Sequence, residues 1–396
     1  MRVLIASCWR PFSDDRAPAL TSALVAAFRR SGHEVDASLM PFSDDDPAKT
    51  QLMGLRLIDA STVGSQTIYL FVAIDAASAL LRHPNKVIWL LHQFRQVYDF
   101  WGTPYQETPS SATSLALRDI VRTSDGQFLR EARHIFTNSK TVADRLKRFS
   151  NMDGEVLFPP LMDAELFHPG DSGPYIFYPS RINSTKRQIL AVQAMRYVRS
   201  GVTLVLAGKA DDAEHQRQLE RTIEQEGVQD RVQVLGWVSQ EQKADLCSKC
   251  LACLYLPYDE DSYGYVTLEG FQSHKPVITC TDSGGTLELI EDGVNGRVVP
   301  PDAHELAAAI DDLAVHPMQT RTMGEHAYAT LARLDISWDH VIRSLTSLES
   351  PSLIHRRLLC TEGRSSWRIR WQTSSGKAGT SARSSGFTLD GLPWSM

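Results

Sequence analysis

The chain has 396 residues, more than the roughly 250–300 that one hydrophobic core usually supports, so its length predicts two domains. Hydrophobic residues make up 42% and charged residues 22%, as in a soluble globular protein, and the net charge of −6 argues against a nucleic-acid-binding protein. No apolar run approaches the ~20 residues of a membrane-spanning helix, and the first residues have a strand pattern instead of that of a signal peptide. We therefore expect a cytoplasmic protein with no transmembrane segment.

The chain opens with a βαβ pattern. Residues 1–7 predict a strand, residues 16–30 a helix, and residues 34–40 a second strand. The loop at residues 8–15 lacks the Gly-x-Gly-x-x-Gly of dinucleotide-binding proteins, which disfavours an oxidoreductase. A Rossmann-like first domain without a dinucleotide cofactor follows from this pattern.

A continuous apolar run at residues 86–91 is typical of a strand buried in a parallel sheet, and His92 follows it directly. Ligands of such sheets bind beyond the carboxyl ends of the strands, so His92 is a candidate site residue. The alternative is an ordinary hydrogen-bonded residue at a strand end. The aromatic segment at residues 98–102 comes next and is our candidate for a ligand-binding loop.

The Pro-rich residues 158–169 indicate a hinge between domains, after a helix that Asn138 or Ser139 caps. A new apolar strand at residues 175–178 then starts a second α/β domain. The tail from residue 350 changes to Ser, Arg, Thr and Gly, with seven Lys and Arg against two Asp and Glu, and is expected to be disordered. Its tryptophans leave peripheral membrane or partner contact open.

Arg181 and Lys186 are two cations at the turn between this strand and the following helix. We expect Ser184 or Thr185 to cap the helix and Arg187 to be exposed. Cations beside a helix N-terminus are suited to holding a diphosphate.

Cys247, Cys250 and Cys253 have a spacing that resembles zinc and iron–sulfur sites. No fourth ligand with suitable spacing follows, and residues 250–256 have the pattern of a buried strand. We therefore interpret the three cysteines as small core side chains and predict no metal.

Asp261 lies at the N-terminus of a predicted helix that begins near Gly264, and Glu269 lies on that helix. Eight helical residues place the two acids roughly 12 Å apart, more than the roughly 5–9.5 Å of a glycosidase pair, so a long ligand such as a nucleotide sugar fits better. Further on, Gly284 and Gly285 precede a second predicted helix, where backbone N–H groups would face an anion.

These pieces, in this order, resemble the signature of retaining GT-B glycosyltransferases of family 4. The matching positions are Asp261, Tyr263, Gly264, Glu269, Pro276, Val277, Ile278, Gly284, Gly285, Glu288, Gly293 and Gly296. One departure is Asp261, where the family usually has Glu. The ordered string is specific, whereas each piece alone is weak.

The resemblance implies two Rossmann-like domains facing each other across a cleft, and it sets the predicted boundaries. Residues 1–165 would be the acceptor-side domain, 166–335 the nucleotide-sugar-binding domain, 336–349 a closing helix and 350–396 a tail. The implied reaction is sugar transfer, with retention, from a nucleoside diphosphate sugar to a hydroxyl of a glycan or lipid-linked acceptor. The expected setting is bacterial surface glycan or glycoconjugate synthesis at the inner face of the membrane, with no cofactor.

The resemblance also implies roles for individual residues. Arg181 and Lys186 would hold the diphosphate, and His92 and Asp261 would orient the donor sugar. Glu269 would bind the ribose hydroxyls. Trp237 and Val238 would lie against the nucleobase, although a core tryptophan is an equal alternative.

Three alternatives remain open on the sequence. One is a sugar-nucleotide epimerase, and another is a non-catalytic protein that binds a nucleotide sugar or a partner. The third is a metal-dependent GT-A enzyme that uses Asp44-x-Asp46 or Asp259-x-Asp261, although the acidic run at 44–46 has the character of a solvated turn.

Overall fold

The structure is a computed structural model that describes residues 1–9, 17–41, 48–103, 105–106 and 111–347. Most of the first loop, the acidic run Asp44–Asp46 and the tail from residue 350 lie outside the described residues.

The first half of the chain forms a six-stranded sheet in which all neighbouring strands are parallel, in the order β2-β1-β5-β6-β7-β8. Its strands are β1 (Arg2–Trp9), β2 (Glu34–Pro41), β5 (Leu70–Ala73), β6 (Lys86–Leu90), β7 (His134–Thr137) and β8 (Glu155–Val156), with a small antiparallel pair, β3 (Thr62–Val63) and β4 (Gln66–Thr67), between them. Its helices are α1 (Ala17–Arg30), α2 (Ala48–Leu57), α3 (Ala112–Phe128) and α4 (Lys140–Ser150).

The second half repeats this architecture with the order β11-β10-β9-β12-β13-β14, again all parallel. Its strands are β9 (Tyr175–Pro179), β10 (Thr203–Ala207), β11 (Val232–Val234), β12 (Ala252–Leu254), β13 (Val277–Cys280) and β14 (Gly296–Val299). Its helices are α5 (Gln188–Met195), α6 (Ala213–Glu226), α7 (Gln240–Lys249), α8 (Tyr265–Gln272), α9 (Ala303–Val315), α10 (Pro317–Arg333) and α11 (Trp338–Ser347).

Burial of β6 shows why the strands form where they do. All five residues of KVIWL are buried, including the fully buried Trp89, whose indole N–H donates to Leu157 O at 2.9 Å. A strand covered on both faces is apolar at every position, which is the pattern that a parallel sheet between helices requires. The prediction of Rossmann-like α/β halves is confirmed.

The second sheet changes strand order between β9 and β12. The chain runs outward from β9 through β10 to β11, then returns to place β12 on the other side of β9. Crevices form at such a reversal, beyond the carboxyl ends of the two strands. The turn after β9 and the segment after β12 therefore define where a ligand is expected.

The last described helix packs against the first half. Val341, Ile342 and Leu345 of α11 belong to the same hydrophobic cluster as Leu20 and Leu24 of α1. Helix α11 therefore spans from the second half back to the first. Among the described helices, none has the length and apolar character that crossing a bilayer requires.

Candidate functional site

Lys186 lies at the reversal point of the second sheet. Its Nζ donates to the Tyr255 hydroxyl at 3.0 Å and forms an ion pair with Glu260, and the same hydroxyl lies 3.1 Å from Glu260 Oε2. Burial alone would raise the pKa of Glu260, but Lys186 and Tyr255 outweigh it and the pKa lies below its usual range. An anion that binds Lys186 must therefore compete with Glu260, a partner that sequence reasoning missed.

Arg187 is not exposed, and that prediction was wrong. Only 15% of its side chain is accessible, because its guanidinium binds both carboxylate oxygens of Asp282 at 2.8 and 2.9 Å. Further donors reach Leu256 O at 2.7 Å and Pro257 O at 2.8 Å. The fixed fork of arginine suits these four acceptors, and it ties the turn after β9 to the segments that follow β12 and β13.

The expected cap of helix α5 was also wrong. Arg187 itself is the N-cap residue, with φ +54° in the left-handed region and no side-chain cap. Ser184 lies outside the helix, and the Thr185 hydroxyl donates to Asn183 Oδ1 at 3.0 Å. The anchored guanidinium of Arg187 accounts for a backbone conformation that a non-glycine residue rarely adopts.

The two predicted diphosphate cations have different carboxylate partners. Arg181 keeps 68% of its side chain exposed and pairs with Asp211 at 3.3 Å, whereas Lys186 is half-buried against Glu260. The structure thus places both cations in the turn between β9 and α5, and the Arg181 side chain remains solvent-accessible.

Asp261 is held by two arginines from the first half of the chain. Arg145 of α4 forms an ion pair with Asp261, and Arg95 Nε lies 3.5 Å from it. The same arginines contact Asp259 at 2.8 and 3.2 Å. Burial raises the pKa of Asp261, while Arg95, His92 and Arg145 act in the opposite direction. His92 is therefore close enough to Asp261 to interact with it electrostatically.

Sequence reasoning did not identify Arg95 or Arg145. The available signal was position: Arg95 follows β6 and Arg145 lies in the helix after β7, so both belong to the carboxyl edge of the first sheet. His92, at the same edge, is exposed, and its Nδ1 lies 3.0 Å from Gln93 O.

Helix α4 docks its N-terminus on the second half of the chain. Glu288 accepts hydrogen bonds from the backbone N–H groups of Lys140 at 2.7 Å and Thr141 at 2.8 Å, and from the Thr141 hydroxyl at 2.9 Å. Ser139 caps α4 and also donates to the backbone oxygen of Asp261. A carboxylate at a helix N-terminus is favourable because it meets unpaired N–H groups and the positive end of the helix dipole.

Gly284 and Gly285 serve close packing of the acidic loop. Gly284 has φ +61°, and a Cβ there would lie 2.5 Å from the Glu260 backbone nitrogen; at Gly285 it would lie 2.8 Å from the Ser262 carbonyl carbon. The Gly285 N–H donates to Glu260 O at 2.9 Å, so this group is used within the protein. The predicted helix after it is only a 3-10 helix, Gly285–Glu288, so that prediction was wrong.

Helix α8 begins at Tyr265, with Gly264 as its N-cap residue, close to the predicted start. Gly264 has φ +70°, and a Cβ would lie 2.1 Å from the Tyr255 ring, so only glycine fits. Glu269 follows on this helix with 1% of its area exposed and pairs with Lys243 of α7 at 2.5 Å.

Trp237 is not a core residue. It lies in the turn after β11 with 64% of its area exposed, which removes the core alternative, and Val238 beside it is half-buried. An exposed indole costs hydrophobic free energy unless something covers it, so the nucleobase role stays a prediction with this support.

Cys247, Cys250 and Cys253 are fully buried, as predicted. Their sulfur atoms are close, with Cys253 Sγ 3.9 Å from Cys247 Sγ and 3.8 Å from Cys250 Sγ. Burial and the neighbouring thiols raise the pKa values of Cys247 and Cys250. Buried thiols of this kind behave as small apolar side chains.

Comparisons with known proteins agree with this architecture. Residues 166–330 match the family described as Glycosyl transferases group 1. Human alpha-1,3/1,6-mannosyltransferase ALG2 is 29% identical over 217 residues, which cover 48% of this chain and 52% of that protein. Alpha-D-kanosaminyltransferase of Streptomyces kanamyceticus is 32% identical over 161 residues, 40% of each chain. This chain thus spans about half or less of the length of these curated relatives.

The fold extends beyond the family match. The crystal structure of Anabaena HepE in complex with UDP and glucose superposes with a TM-score of 0.63 at 19% identity, covering 88% of this chain and 100% of that one. At this identity the likeness concerns the fold alone. Residues 166–330 thus resemble the glycosyl transferases group 1 family, and the chain has the GT-B fold.

Proposed function

We propose that the protein is a retaining glycosyltransferase of family 4 that transfers a hexosyl group from a nucleoside diphosphate sugar to a hydroxyl of a glycan or lipid-linked acceptor. One observation carries the proposal: Lys186, Tyr255 and Glu260 meet at the strand-order reversal inside the family-matched region. Similarity to a mannosyltransferase, to a kanosaminyltransferase and to the fold of a protein bound to UDP and glucose supports it.

Lys186 would stabilise the leaving diphosphate. A phosphate oxygen entering the turn would exchange with Glu260 for the Lys186 ammonium group, and exposed Arg181 would approach from the solvent side. A cation ~4 Å from a developing anion is worth about 4 kcal/mol at an effective dielectric near 20. Charge that develops in the transition state gains more from this cation than charge already present in the substrate, which is the condition for rate acceleration.

His92 and Asp261 would orient the donor sugar, Glu269 would bind the ribose, and Trp237 with Val238 would cover the nucleobase. Gly264, Gly284 and Gly285 would contribute by letting the acidic loop pack tightly, since a side chain at each would clash. The site therefore combines ligand contacts with glycines that fix the backbone carrying them.

We further propose that transfer needs no metal ion. Asp259 and Asp261, the carboxylates that a metal would use, are both paired with Arg145, so a divalent ion would have to displace a guanidinium. Lys186 and Arg181 can supply positive charge to the diphosphate instead. The GT-B fold also sets aside the GT-A alternative.

The acceptor would bind to the domain formed by residues 1–165, with the donor on residues 166–335 and residues 336–349 closing the pair. Aromatic rings support this: Tyr105 of the first half stacks on Tyr258 of the second, with ring centroids 4.4 Å apart, and Phe100 lies beside Tyr105. We place the protein in the cytoplasm at the inner face of the membrane, in the synthesis of bacterial surface glycans.

The test is a turnover screen of UDP-, GDP-, ADP- and dTDP-sugars against lipid-linked and free glycans, with the anomeric configuration of the product determined by NMR. Lys186→Ala should abolish transfer, whereas Lys249→Ala, which removes an exposed lysine of α7, should not. Wild-type rates in Lys186→Ala would refute the diphosphate assignment. An altered sugar nucleotide without acceptor would indicate an epimerase, and binding without turnover a non-catalytic protein.

A further inference from the structure

Only one of the two carboxylate oxygens of Glu269 accepts a hydrogen bond within the described residues. Its Oε1 accepts from Lys243 Nζ at 2.5 Å, while Oε2 is buried and receives no hydrogen bond from any residue in the described ranges. A buried acceptor without a donor is costly, and each such atom in a folded protein calls for an explanation.

A purely structural carboxylate in the same half of the chain looks different. Glu288 has both oxygens satisfied, Oε2 by Lys140 N–H and Oε1 by Thr141 N–H and hydroxyl. Glu269 lies on α8, five residues after its N-cap Gly264, which contacts the Tyr255 ring at the proposed diphosphate site. Its unpaired oxygen therefore belongs to the element that borders the proposed ligand.

Lys243 is an unusual residue for its position. Lysine is rarely this buried unless it is paired, yet only 7% of its area is exposed. Its ammonium group lies between Glu269 and the ring of Phe167, whose centroid is 5.8 Å from Nζ. Because the side chain of Lys243 is buried and its ammonium group pairs with Oε1, Lys243 limits the rotation of the Glu269 carboxylate.

We propose that Lys243 is a positioning residue: it holds Glu269 so that Oε2 is directed at a ribose hydroxyl of the nucleotide. This inference rests on the proposed function. The hydroxyl donates to Oε2 and supplies the missing hydrogen bond, while the lysine keeps the carboxylate oriented. The ligand feature recognised is the 2′-hydroxyl of the ribose, so the site distinguishes ribonucleotides from 2′-deoxyribonucleotides.

The experiment measures dissociation constants by calorimetry for UDP, GDP and ADP, for dUDP, dGDP and dADP, and for dTDP. A hydrogen bond to a charged acceptor predicts that the wild-type protein prefers the ribonucleotide by roughly 10- to 100-fold. In Lys243→Met this preference should fall to about one, because the carboxylate is no longer fixed. Lys275→Met is the matched control: this lysine is also buried in the second half but binds Gly170 O and the Ser172 hydroxyl, so the wild-type preference should remain.

The variant Lys243→Met leaves a buried carboxylate unpaired and is at risk of unfolding. If it does not fold, Lys243→Gln, whose shorter neutral side chain keeps a hydrogen-bond donor but no ammonium group near Oε1, takes its place, with an expected ratio well below that of the wild type. A wild-type ribose preference in either folded variant would overturn the role of Lys243.

The outcomes also separate this inference from the proposed function. A wild-type protein that binds diphosphates equally well with and without the 2′-hydroxyl refutes the inference and leaves the donor assignment standing. A wild-type protein that binds none of UDP, GDP, ADP and dTDP refutes both.

Discussion

Asp125 offers a sharp test of the electrostatics of the first half. It lies buried on α3, and its Oδ2 accepts a hydrogen bond from the Tyr98 hydroxyl at 2.6 Å. Burial raises the pKa of Asp125 to about 6 from an ordinary 3.8, although the bond from Tyr98 opposes the shift. We expect the change Asp125→Asn to stabilise the protein at neutral pH, because it removes a charge that burial disfavours.

The sign follows from proton linkage. A carboxyl whose pKa is higher in the folded than in the unfolded protein contributes stability that is fully present below about pH 4 and is lost as the pH rises through about 6. A shift of roughly two pKa units corresponds to about 3 kcal/mol at about 1.4 kcal/mol per unit. The free energy of unfolding of Asp125→Asn, relative to wild type, should therefore rise by up to ~3 kcal/mol between pH 4 and pH 7 and then level off.

Urea unfolding at half-unit steps from pH 4 to pH 7.5 measures this difference. Asp119→Asn is the matched control, because Asp119 is an exposed carboxyl of the same helix, and its difference from wild type should stay flat within about 0.5 kcal/mol. A constant difference for Asp125→Asn across the whole range would contradict the raised pKa and the burial that causes it.

Three further outcomes are expected. Asp261→Asn should lose most sugar transfer while Asp261→Glu retains it, since charge matters more than reach; equal rates for Asp261→Asn and wild type would leave only a structural role. Gly284→Ala should lower the thermal midpoint, because its Cβ would meet the Glu260 backbone, and Gly201→Ala, with open space around it, is the control. Transfer should survive excess EDTA, and full loss with rescue by Mg²⁺ or Mn²⁺ would return Asp259 and Asp261 as metal ligands.

The sequence was sufficient to predict those strands and helices whose residue pattern directly reflects burial. The run at residues 86–91 predicted a strand, and β6 occupies Lys86–Leu90 with every residue buried. The helix that Asn138 or Ser139 was expected to cap is α4, Lys140–Ser150, with Ser139 as its N-cap residue. Periodicity and capping depend on neighbours in sequence, so one chain suffices to detect them.

The sequence did not predict which charged residues form ion pairs with each other. Arg187 was expected to be exposed, but its guanidinium pairs with Asp282, which is 95 residues away in the sequence. Likewise, Arg145 and Asp261 are 116 residues apart. The Gly284-Gly285 motif predicted close backbone approach correctly but not its object, which is the backbone of Glu260 and Ser262. A local pattern states what a residue can do, and only the fold decides which partner it meets.

The contacts of Asp261 link ligand binding to the contact between the two halves of the chain. Its carboxylate binds Arg145 and its backbone oxygen accepts from Ser139, both on or beside α4, whose N-terminus Glu288 also holds. If the donor sugar binds Asp261 as we propose, its hydroxyls must share or displace Arg145. Anything that changes that ion pair then changes both donor affinity and the docking of α4, and by thermodynamic linkage each affects the other equally. In such a site, donor binding and the docking of α4, which belongs to the acceptor-side half, are coupled without a separate regulatory element.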